Sequence, residues 1–170
     1  MSVATRERAA KPRTEHFDEV VHIHAGAINN YIKRRIYPLP VTDADDILAE
    51  TLIVVWRRLD DIPTGAELPW MLGVARRVLA NARRSQHRRL RRESGSLEIP
   101  QPGAEAIVLA DEALNRALRS LSTDERDILL DSVWDGLSNS DIAVLYEITP
   151  NAAAIRLSHA RTKFLQAYSA

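Results

Sequence analysis

Eight arginines, Arg76, Arg77, Arg83, Arg84, Arg88, Arg89, Arg91 and Arg92, fall within residues 76–92 with no acidic residue among them. Cations so close together repel one another. A polyanion that neutralises them also gains affinity by shedding its own counterions. The chemistry this spacing suits is nucleic-acid binding; the plainer reading is a helix end that only aids solubility. A second basic feature lies near the end of the chain. Ser138 with Asp141 makes a capping-box pattern, and Thr149 before Pro150 opens a second helix after a tight turn. Ala153, Leu157, Ala160 and Phe164 share one face of that second helix, and Arg156, His159, Arg161 and Lys163 fall largely off it. A short helix, a turn and a longer basic helix form the helix-turn-helix arrangement, whose second helix enters a DNA major groove. A helical hairpin with a solvated basic face is the alternative.

Other chemistries find little support. The five histidines are scattered, and His22 and His24, two apart on a helix, diverge too far to share a metal ion. There is no cysteine, hence no disulfide framework and no thiolate site, as suits a reducing cytoplasm. No glycine-rich phosphate loop or nucleophile motif occurs. The expectation is a non-enzyme with no catalytic residue, no cofactor and no metal, cytoplasmic and without a membrane span.

Net charge is zero, yet the charge is strongly segregated along the chain. Helical periodicity is everywhere and strand signals are nearly absent, so the fold class is all-α: two small helical domains joined by a flexible acidic linker, the second with a helix-turn-helix. Residues 1–15 read as a disordered basic tail. Residues 16–92 form the first unit. In it Thr42 caps a helix with Asp43, Asp45 and Asp46 in its first turn and Ile47, Leu48, Thr51, Leu52, Val55 and Leu59 inward. Its outer face carries Asp46, Glu50, Ile53 and Arg57, and an exposed isoleucine among polar residues suits a partner. A loop over residues 60–68 precedes a helix opened by Pro69 and Trp70, and earlier Gly26 either divides the stretch 16–37 into two helices or simply weakens one. Residues 93–110, with three glutamates, Pro100, Pro102 and Gly103, read as the linker. Residues 111–170 form the second unit, of four helices, with Ile128, Leu129 and Val133 inward.

Specific words then emerge. Residues 43–56, Asp-Ala-Asp-Asp-Ile-Leu-Ala-Glu-Thr-Leu-Ile-Val-Val-Trp, resemble the "D-A-E-D-L-v-Q-E-t-F-l-x-v-W" stretch of bacterial sigma factors. Residues 70–76, Trp-Met-Leu-Gly-Val-Ala-Arg, resemble that family's "W-L-x-x-I-A-R-N". Residues 118–161 are similar to its "L-x-x-L-p-x-x-x-R … G-l-s-x-x-E-I-A … R-l-x-r-A-R". The two-unit layout resembles the extracytoplasmic-function (ECF) group of the sigma-70 family, which keeps only regions 2 and 4. The resemblance implies core RNA polymerase as partner, through the clamp helices of its largest subunit and the flap of its second largest, together with promoter DNA and an anti-sigma factor. It implies polymerase binding by Asp46, Glu50, Ile53 and Arg57. Contacts to the opened −10 element would come from Asp61, Thr64, Trp70, Arg76, Arg77, Arg83 and Arg84, although Trp70 reads equally well as a core aromatic. The −35 element would be read by Asn151, Ala152, Arg156, Ser158 and His159, with Arg161 and Lys163 on phosphates.

The chain departs from the pattern in places. Arg77 stands where the family has Asn, and Asn81 where an acidic residue is common. Tyr146-Glu147 replaces a Leu-Gly turn, and Ala152, Ala153 and Ala154 replace Thr-Val-Lys. The alanines leave fewer hydrogen-bonding side chains, so readout leans on shape, methyl contacts and Arg156. Two rivals stay open: a stand-alone helix-turn-helix regulator of duplex DNA, and an interaction protein that binds polymerase but no promoter.

Overall fold

The computed structural model describes residues 12–94 and 112–170, and every regular element among them is helical. The first unit holds α1 (Arg13–Arg34), α2 (Ala44–Arg57) and α3 (Glu67–Ser94), and the second holds α4 (Glu112–Ser120), α5 (Thr123–Val133), α6 (Asn139–Tyr146) and α7 (Pro150–Tyr168).

α1 runs unbroken through Gly26 and buries Val20, Ile28, Tyr31 and Ile32. It begins earlier than the sequence suggests. Arg13, assigned above to the tail, is helical, its guanidinium pairing with Asp60 and donating to the Trp56 carbonyl at 2.7 Å. Residues 1–11 of that tail lie outside the described residues. Thr42 does not cap α2; a short 3-10 turn, Val41–Asp43, leads into it instead. α2 buries Ile47, Thr51 and Val55, and the Thr51 hydroxyl donates back to the Ile47 carbonyl at 2.7 Å, so its burial leaves no polar group unsatisfied.

α3 starts two residues before Pro69, where the Glu67 carboxylate accepts the Gly65 N–H at 2.9 Å. Pro69 falls in the first turn, where its missing N–H costs nothing. From Trp70 to Leu79 nearly every side chain is buried, because α1 and α2 cover one side of this segment and α6 covers another. Beyond it the helix leaves the core and becomes a largely exposed basic arm reaching Ser94. The helix thus takes in the first two residues of the stretch assigned to the linker; residues 95–111 lie outside the described residues.

The second unit is the expected four-helix arrangement. Ser122 and Glu125 close a capping box on α5, and Ser138 and Asp141 close another on α6. Thr149 accepts the Ala152 N–H at 3.1 Å to cap α7. Arg126, almost fully buried, donates from Nε to the Leu118 carbonyl at 3.0 Å and from Nη2 to the Leu121 carbonyl at 3.2 Å. It satisfies the frayed end of α4 with a charged fork where a glycine cap is usual. Val133, expected inward, is 63% exposed. It lines a groove bordered by residues of α4, α5 and α7.

The two units are docked. One cluster of buried residues runs through both, from Tyr31 and Met71 to Ile142 and Leu145. α3 lies against α6 at Gly73, where a Cβ would stand 2.9 Å from the Leu145 carbonyl oxygen. Only glycine permits that approach.

Candidate nucleic-acid interface

The helix-turn-helix is α6, a turn at Glu147, Ile148 and Thr149, and α7. Ala143 is buried and small, so α7 can come close, while Ile142, Leu145, Ala153, Leu157 and Ala160 fill the space between them. The turn closes with the Ile148 N–H donating to the Ala143 carbonyl at 3.0 Å. Glu147 holds the position a glycine would suit, with φ 56 and ψ 44. An L-residue is strained there by roughly 1 kcal/mol or more.

On α7, Asn151, Arg156, Ser158 and His159 are exposed and Ala152 is half-buried. Arg156 and His159 border a cleft of about 420 Å³ that also touches Arg76, Asp124 and Tyr146. The two cations expected on phosphates have partners within the chain: Arg161 donates to the Ser132 hydroxyl at 3.0 Å and Lys163 pairs with Glu125 at 2.7 Å. That lysine, with the Ser122 N–H, holds the Glu125 carboxyl below the usual carboxylate range.

In the first unit, Asp61 and Thr64 are exposed at the loop, Asp61 being paired with Arg58 at 2.9 Å. Trp70 is 8% exposed, which favours the core reading over a stacking surface; the Arg58 guanidinium lies 5.2 Å from its ring centroid. Of the four arginines assigned to the −10 element, two pair with the second unit and a third, Arg83, bonds within the first. Arg76 pairs with Asp124 at 3.2 Å and lies over the Tyr146 ring at 4.5 Å. Arg77 pairs with Glu147 at 2.7 Å, and Arg83 donates to the Arg35 carbonyl. Arg84 points away and bonds Asn81. Asp46, Glu50, Ile53 and Arg57 are all exposed on one side of α2, spaced four, three and four residues apart. Ile53 is 50% exposed. Trp56 extends the apolar patch, its ring edge-on to Phe17 at 5.2 Å.

Several charged residues that matter were not singled out from the sequence. Arg35 and Asp131 form a buried pair at 2.6 Å, with side chains 5% and 0% exposed. Asp131 also accepts from the Tyr146 hydroxyl at 2.6 Å, and Arg35 reaches Asp135 at 2.8 Å. Burial lifts the Asp131 carboxyl to about 6 and raises Asp127 in the same direction, against the pull of Arg35. On the outer side of the second unit, Leu114, Leu118, Leu129, Val133, Phe164 and Leu165 line an apolar groove of about 560 Å³. Among the described residues no group of three or more His, Cys, Asp or Glu is placed to hold a metal ion, and no helix is long and apolar enough to cross a membrane.

Comparison with known proteins bears on this arrangement. The family model for sigma-70, region 4, matches residues 111–164. The RNA polymerase sigma factor NccH of Alcaligenes xylosoxydans xylosoxydans is 27% identical over 94% of this chain and 90% of its own length. CnrH of Cupriavidus metallidurans is 26% identical over 92% and 88%, and the ECF factor EcfG of Rhodopseudomonas palustris 29% over 71% and 68%. Among solved structures, the sigma factor RpoE bound to the anti-sigma factor NepR, from Bartonella quintana, matches with a TM-score of 0.63 at 19% identity, over 91% of this chain and 98% of that one. CnrH bound to the cytosolic domain of CnrY matches at 0.56 and 19%, over 91% and 92%.

Proposed function

We propose that this chain, which belongs to the ECF group of the sigma-70 family, binds core RNA polymerase and directs promoter-specific initiation of transcription. The observation that carries the reading is a capped helix-turn-helix, within the span matching sigma-70 region 4, in one chain with an exposed acidic and apolar face on α2. It acts by binding in the cytoplasm, not by chemistry on a substrate.

Each surface has a physical role in that reading. The first unit, residues 16–92, sets Asp46, Glu50, Ile53 and Arg57 against the clamp helices of the largest polymerase subunit. Asp61 and Thr64 on the loop take a base flipped from the opened −10 element, and Arg76, Arg77, Arg83 and Arg84 track the strand's phosphates. The second unit, residues 111–170, presents Asn151, Ala152, Arg156, Ser158 and His159 to the −35 major groove. Its apolar groove accommodates an amphipathic helix, which suits the flap of the second largest subunit. The two solved relatives are in complex with NepR and with CnrY; an anti-sigma partner for this chain is part of the proposal.

Run-off transcription with core polymerase, with and without the chain, tests it. A promoter-directed product that requires the chain is expected. Tight duplex binding without polymerase, and no such product, would support the stand-alone regulator instead.

A further inference from the structure

Four aspartates of the second unit, Asp124, Asp127, Asp131 and Asp135, follow one another at intervals of three, four and four residues. Three lie on α5 and the fourth in the turn beyond it, so they form one acidic stripe. Against it stand arginines of the first unit: Arg76 on Asp124, Arg35 on Asp131, and Arg34 with Arg35 on Asp135. Asp127 lies in the field of Arg35, Arg83 and Arg76. Arg77 completes the edge on Glu147.

We propose that the α5 acidic stripe stands in for a nucleic-acid backbone, closing the free chain on itself and withholding its arginine track from DNA. The DNA half of this statement rests on the function proposed above; the closure does not. Three features support it beyond the ion pairs. Arg76 and Arg77, which would neutralise phosphates, pair with acids of the second unit, and Arg83 lies in the field of Asp127 while bonding the Arg35 carbonyl, whereas Arg84 bonds only Asn81 on its own helix. Arg156 and His159 of α7 border the same cleft, so docking crowds both nucleic-acid surfaces at once. Arg77, Tyr146 and Glu147, three of the departures from the family's pattern, are among the residues that make this junction.

The junction is also built to part. Arg35 Nε and Nη1, Arg76 Nε, Arg83 Nε and the Tyr31 hydroxyl are buried there with no hydrogen-bond partner. A partly satisfied buried network costs stability, so charge alone does not hold the units together. Close apolar packing at Gly73 and Leu145 must supply the rest. A polyanion offering better-satisfied contacts to the arginines competes on favourable terms, and a chain closed nine times in ten loses about tenfold of its intrinsic affinity.

The chain has no cysteine, so donor and acceptor dyes can be attached to the full-length protein through Ala49→Cys and Gln166→Cys, both on exposed positions. Gly73→Ala drives a methyl against the Leu145 carbonyl without changing charge, and Glu147→Gln removes the edge pair. Closure predicts high energy transfer in the unsubstituted chain, a clear fall in Gly73→Ala and a smaller one in Glu147→Gln. Binding of a short single-stranded deoxyoligonucleotide should tighten about tenfold in Gly73→Ala, with a steeper salt dependence as more phosphates are engaged. Adding that oligonucleotide to the unsubstituted chain should itself lower the transfer. Low transfer in the unsubstituted chain overturns the proposal, and so does a fall in transfer with no gain in oligonucleotide affinity. Neither result touches the initiation reading, which promoter-directed transcripts judge. Conversely, a chain that yields no transcripts but opens and binds as described keeps the proposal and loses that reading.

Discussion

Glu147 offers a test in which the usual order of two residues reverses. It ends α6 in the left-handed region, φ 56 and ψ 44, and its carboxylate pairs with Arg77 at 2.7 Å. The side chains of that pair are 44% and 64% exposed, so solvent screening limits it to a few tenths of a kcal/mol. Both Glu147→Ala and Glu147→Gly lose the pair, so it cancels between them. What remains is backbone. Alanine keeps the left-handed strain, about 1–2 kcal/mol. Glycine removes it but gains about 0.5–1 kcal/mol of chain entropy to lose on folding. The difference leaves Glu147→Gly the more stable by roughly 0.5–1 kcal/mol, whereas in the interior of a helix alanine would win by about the same amount. Thermal unfolding followed by circular dichroism should show Glu147→Gly melting about 1–4 °C above Glu147→Ala for a chain of this size. Equal or inverted melting temperatures would refute the left-handed assignment and, with it, the view that this turn tolerates glutamate at a cost.

Three further outcomes are expected. Asp46→Lys with Glu50→Lys should abolish binding to core polymerase in a pull-down, while costing the fold only about 1 kcal/mol through the lost first-turn carboxylate of α2; retained binding would refute the assignment of that face. Arg126→Met should destabilise by about 3 kcal/mol in urea unfolding, because two carbonyls at the end of α4 lose a charged donor, and Arg126→Lys should not restore it, since an ammonium cannot fork. Docking should also depend on pH. Asp131 faces Tyr31 of α1 and Arg35 just after it, Tyr146 from α6, and Asp127 and Asp135 on its own segment, while Arg76 and Arg83 of α3 act on the neighbouring Asp127. Its carboxyl is lifted from 3.8 to about 6 in the docked form, so that form holds its proton more tightly. Docking is therefore strongest below about pH 4 and weakens as pH rises to about 6; energy transfer should stay level from about pH 8 to about 6.5 and increase as pH falls from about 6 toward about 4, and Asp131→Asn should flatten the change.

The elements were legible because their signals are local. Capping boxes at Ser122 and Ser138, Thr149 before Pro150, and the stripe of Ile47, Thr51 and Val55 each place a helix from a few neighbouring residues. The exposure of Asp46, Glu50, Ile53 and Arg57 follows from the same period. The docking of the two halves was not legible, for a physical reason. Arg35 and Asp131 are 96 residues apart, and nothing near either one announces the other. Alone, each reads as an ordinary solvated charge, and Gly73 in mid-helix reads as a small local weakness. One signal was present: aspartates at 124, 127, 131 and 135 hold a helical period as strict as that of any apolar stripe. A periodic face implies a partner whatever its chemistry, and the partner of an acidic face is a basic one. Together with the arginines of α3 it suggests why a chain so segregated in charge has no net charge overall: the two halves complement each other, and the arginines paired across the junction must be uncovered before they can bind anything else.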